Sequence, residues 1–79
     1  MEIKVLGTGC KKCKETEKAV QKAVEELGIQ ADVEKVEEMD KIADYNVLMT
    51  PGLVINGKVK VTGRVPKHKD ILKYIKDEM

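Results

Sequence analysis

The chain has no tryptophan and no phenylalanine, and only two tyrosines among its 79 residues. Without large rings to fill a core, burial energy has to come from Val, Ile, Leu and Ala packed between helices and a sheet. The 79 residues are expected to form a single domain, and a domain of that size hides only roughly 60% of its unfolded surface. Tyr45 and Tyr74 make no stacking set and the basic residues are interleaved with acids, so nucleic acid is not an expected partner. Long apolar runs are also absent, the longest being three residues, as in Leu53-Val54-Ile55. Such runs supply neither a membrane span nor a secretory leader. A cytoplasmic, reducing setting with no membrane partner is therefore expected.

Cysteine is scarce as well. Cys10 and Cys13 stand so close that a bond between them stabilises a fold by at most about 2 kcal/mol in the loop-closure picture, which makes the pair poor scaffolding. Structural zinc needs four ligands, and beside the two cysteines the chain offers His68, expected at the surface. No metal or other cofactor is expected. The net charge is only +1, distributed as +3 over residues 1–24, −6 over 25–44 and +4 over 45–79, a pattern that fits a solvated mixed surface.

What is present is a clear order of elements. Residues 2–6 alternate as a strand, which Gly7-Thr8-Gly9 breaks. From Lys11 to Leu27, the residues Ala19, Val20, Ala23, Val24 and Leu27 form one helical stripe, and Gly28 supplies a left-handed stop. Residues 29–36 are β-branched enough for a second strand, and 39–45 for a short helix with Asp40 near its start. Strands over 53–55 and 58–61 flank Asn56-Gly57, the pair that a type I′ hairpin prefers. A last helix is expected from Lys67, with Pro66 in its first turn and Ile71, Leu72 and Ile75 facing inward. The order βαβαββα predicts an α/β fold, with a four-stranded mixed sheet and helices on both faces.

Cys10-Lys11-Lys12-Cys13 falls where the first strand passes into the first helix, the placement that gives this motif redox meaning. Unpaired N–H groups at a helix start favour a thiolate, and Lys11, Lys12 and Lys14 act in the same direction. Cys13 lies a turn further in on the same face, placed to attack a mixed disulfide formed by Cys10. Gly7 and Gly9 are expected to let a partner's backbone come close. Thr50-Pro51 enters a strand from its first position, and a cis bond there would turn Thr50 toward the cysteines, open to an extended substrate strand.

On these residues, with Gly9-Cys10-Lys11-Lys12-Cys13, Thr50-Pro51, Asn56-Gly57 and Gly63 taken together, the whole chain resembles the thioredoxin superfamily. It is most similar to the short, glutaredoxin-sized members known as small redox-active disulfide proteins. The resemblance implies a thiol-disulfide oxidoreductase in which Cys10 attacks, Cys13 resolves and the Pro51 peptide bond is cis. It further implies that Thr50 and the loop around Gly63 to Val65 contact the bound partner; Gly9, Lys11, Lys12, Pro51 and Arg64 are expected to adjoin it as well, in a monomeric protein reduced by a thioredoxin-reductase-like donor. The chain departs from thioredoxins in three places: no Trp precedes Cys10, Lys11-Lys12 replaces Gly-Pro, and Lys4 stands near the place of a buried acid. Glutaredoxins hold glutathione partly through a glycine and an acid before the last helix. Here Gly63 is followed by Arg64, which is either a carboxylate-binding group or a solvated loop charge, so protein disulfides are the implied substrates.

Two other readings remain at this level. One is a redox-dependent regulatory or interaction domain. The other is a soft-metal, Cu(I) chaperone using both thiolates; its order, βαββαβ, ends in a strand, and it usually carries Met where Thr8 stands here.

Overall fold

Period-two and period-3.6 patterns in the sequence become elements at nearly the expected places. The computed structural model describes residues 1–7, 9, 11–47 and 49–79. Its elements are β1 (Glu2–Leu6), α1 (Lys11–Leu27), β2 (Asp32–Val36), α2 (Met39–Asp44), β3 (Gly52–Ile55), β4 (Lys58–Thr62) and α3 (His68–Asp77). The sheet order is β2-β1-β3-β4, with β1 parallel to β2 and antiparallel to β3, and β3 antiparallel to β4. This is the mixed sheet expected of βαβαββα. The order ends in a helix, unlike that of the metal-chaperone reading.

Alternation along β1 divides the interior in two. Ile3 and Val5 join Leu53, Ile55 and Val61 beneath α1 and α3, where Val20, Ala23, Ile71 and Ile75 are fully buried. Leu6 points to the opposite face and meets Val36, Ile42, Val47 and Val54 under the short α2.

The strands and helices depart from the sequence expectation where a neighbour sets the boundary. β2 begins at Asp32 rather than at 29, because its partner β1 begins at Glu2: the Asp32 N–H donates to the Met1 carbonyl (2.9 Å) and pairing runs from there. Pro66 is not in the first turn of α3. Lys67 is the N-cap, in extended conformation, and its carbonyl accepts from the Asp70 and Ile71 N–H groups, so Pro66 lies buried ahead of the helix. Tyr45 caps α2 instead of belonging to it. The hairpin has the expected turn, with Asn56 (φ 50) and Gly57 (φ 81) both left-handed as type I′ requires. Its ladder carries one irregularity, since Leu53 pairs with Val61 but Val54 with Val59, which leaves Lys60 as an extra residue in β4.

Candidate active site

α1 starts at Lys11, directly after Cys10 in the chain, and its first turn contains no acidic residue. Lys11, Lys12 and Lys14 are all exposed there. Cys10 lies outside the described residues. Cys13 is the third residue of α1, 5% exposed and disulfide-bonded. It belongs to a buried row with Thr16, Val20 and Ala23, spaced as a single helical face requires. Hydropathy shows the lower part of that row but not its upper end. Thr16 is polar yet has no exposed surface, because its hydroxyl donates to the Lys12 carbonyl one turn back (2.9 Å).

The end of β1 meets Cys13 directly. Gly7 continues the parallel pairing, with its N–H donating to the Val36 carbonyl (2.9 Å). A β-carbon built on Gly7 would lie against Cys13 Sγ, 2.9 Å from Cys13 Cβ and 3.9 Å from Thr50 Cβ. The space expected to admit a partner at Gly7 is thus filled by the chain's own cysteine. Gly9 differs: it has φ +85 and nothing within 4 Å of its β-carbon position, so turn geometry and open space both apply there.

Thr50 is half-buried, Pro51 is buried, and the bond between them is cis, as the resemblance implied. The Pro51 carbonyl accepts from the Gly63 N–H (2.9 Å). Gly63 has φ +77, and the side chain of Met49 lies over it, with Met49 Cβ 3.4 Å from where a Gly63 Cβ would stand. Arg64, next in the chain, is exposed. A continuous path therefore runs from Cys13 through Gly7 and Thr50 to Pro51 and Gly63. Met49 was missed by sequence reasoning; it is 65% exposed, and only its neighbour Thr50-Pro51 marks the place.

Two residues considered from sequence fall elsewhere. Lys4 projects on the α2 face, its Nζ 5.8 Å from the centroid of the Tyr45 ring, and Tyr45 holds the ammonium above the ordinary lysine range. His68 opens α3 at the surface and contacts Glu26 of α1. Among the described residues no cluster of three or more metal-ligating side chains occurs, and no helix is long and apolar enough to cross a membrane.

The thioredoxin domain family matches residues 1–76. The chain is 43% identical over 75 residues to a thioredoxin of Methanothermobacter thermautotrophicus, covering 95% of this chain and 97% of that protein. It is 40% identical over 74 residues to a thioredoxin of Methanocaldococcus jannaschii, covering 94% and 85%. A probable thioredoxin of Methanothermobacter thermautotrophicus is 33% identical over 73 residues. The family match along nearly the whole length and the identity to thioredoxins over almost all of both chains agree: the chain belongs to the thioredoxin family and is a thiol-disulfide oxidoreductase.

Proposed function

We propose that the chain reduces protein disulfides in the cytoplasm through a cycle in which Cys10 attacks and Cys13 resolves. The Cys10 thiolate displaces one sulfur of the target disulfide and forms a mixed disulfide. Cys13 then attacks Cys10, closing the internal disulfide and releasing the second target thiolate, so two electrons pass to the target. Gly9, Lys11, Lys12, Thr50, Pro51, Gly63 and Arg64 line the approach of the target chain. A reductase of the thioredoxin-reductase kind returns the dithiol, and the 79 residues act as one monomeric domain. The observation that carries this reading is the burial of the Cys13 sulfur against Gly7, in the first turn of a helix where every charged residue is a lysine.

The test is the equilibrium between dithiol and disulfide in defined redox buffers, followed by thiol alkylation and mass on metal-free protein. One reversible two-electron transition is expected. Cys13→Ser is expected to accumulate target proteins on Cys10, whereas better trapping by Cys10→Ser reverses the two roles. A tight, redox-dependent partner complex with slow turnover would replace catalysis by regulation.

A further inference from the structure

We propose that Gly7 is a positioning residue for the resolving step, its missing side chain forming the seat in which the Cys13 sulfur rests. The proposal builds on the Cys10 and Cys13 cycle above. Glycine is not required at this position by the backbone. Gly7 lies outside the left-handed region and makes the strand-like hydrogen bond to the Val36 carbonyl, a conformation open to any residue. What excludes a side chain is space. Of the described glycines, it alone would drive a β-carbon into another side chain at under 3.0 Å, and that side chain is Cys13.

Neither partner can retreat as a body. β1 is paired on both sides, by β2 and β3. α1 is held against the sheet by Thr16, Val20 and Ala23, all without exposed surface. A methyl group at Gly7 therefore displaces the Cys13 side chain, Cβ as well as Sγ, from its seat, and with it the sulfur that attacks Cys10. That attack forms the Cys10–Cys13 bond and breaks the bond between Cys10 and the target, whose thiolate leaves. The first step, in which Cys10 displaces target sulfur, makes no use of the seat.

Gly7→Ala in the full chain is expected to separate the two steps. Mixed-disulfide formation with a model protein disulfide, followed by rapid acid quench and mass, should stay within about twofold of the parent chain, while resolution slows by roughly tenfold or more and the mixed disulfide accumulates. The internal equilibrium should shift toward the dithiol by about tenfold, or about 30 mV for a two-electron couple. Equal slowing of both steps, or unchanged resolution in a parent chain that cycles normally, overturns the role of Gly7 alone. A parent chain that forms no internal disulfide overturns the underlying cycle instead. Thermal unfolding supplies a second arm: the destabilisation caused by Gly7→Ala should shrink by half or more in a Cys13→Ala background, where the sulfur is gone. If Gly7→Ala alone does not fold, recovery of folding in that double variant supports the seat. The same penalty in both backgrounds, or a double variant that still does not fold, overturns it.

Discussion

A lysine in the first turn of a helix opposes the backbone dipole beneath it, yet Lys11 and Lys12 open α1 and Lys14 follows, with no acidic residue in that turn. An anion nearby reverses the sign of that cost. Replacing Lys11 and Lys12 with Glu is expected to raise the Cys10 pKa and to slow its alkylation near neutral pH by about two- to fivefold, given 0.3–1 kcal/mol for a charge at a helix terminus. The rate of iodoacetamide reaction against pH measures it, and an unchanged profile would assign the effect to the helix terminus alone. The residue types of this site were legible as text: two cysteines three apart, lysines between them, a threonine before a proline. The meaning of Gly7 was not, because the atom that fills its space arrives from the first turn of a helix.

At the scale of elements, the β4 irregularity has a visible consequence. Strict alternation would put Val59 and Val61 on one face, but the extra Lys60 lets Val61 enter the core while Val59 stays 41% exposed. Lys58 and Lys60 both reach Glu78 at the end of α3, at 3.5 and 2.8 Å. Hydrogen bonding from Lys60, reinforced by the charge of Lys58, holds the Glu78 carboxyl below the usual carboxylate range. A carboxylate depressed in the folded state stabilises the fold above its unfolded pKa, and that contribution is lost as pH falls through the folded pKa. Lys60→Met, which keeps the apolar stem, is therefore expected to melt below the parent chain at neutral pH. The gap should narrow as the solution is acidified through the carboxylate range. Melting curves across pH decide this, and a gap independent of pH would show that packing of the lysine stem, not the ion pair, is what matters.

For the molecule as a whole, stability rests on aliphatic contacts between one sheet face and two helices. Ile71 and Ile75 of α3 are both without exposed surface and close that core against Ile3, Val5, Leu53 and Ile55. Ile71→Ala is expected to cost about 2–5 kcal/mol. That is a large part of the 5–15 kcal/mol typical of a domain, and a domain of this size loses roughly 4–8 °C of melting temperature for each kcal/mol. Denaturant unfolding with an unchanged slope would locate the loss in the native core; a loss under 1 kcal/mol would show that α3 contributes little.

The sequence by itself determined what depends on neighbours a few residues away. The span of α1 follows from its stripe and from Gly28, and the hairpin from Asn56-Gly57. Each of these is a local preference of backbone or side chain, so it can be read without knowing the fold. Only the tertiary structure decided what depends on distant partners. Met1 and Glu2 set where β2 begins, thirty residues further along the chain. Gly7, Cys13 and Thr50 come together because β1, α1 and the approach to β3 converge at one end of the sheet. Gly7 and Thr50 stand 43 positions apart, and no periodicity in the chain records their approach.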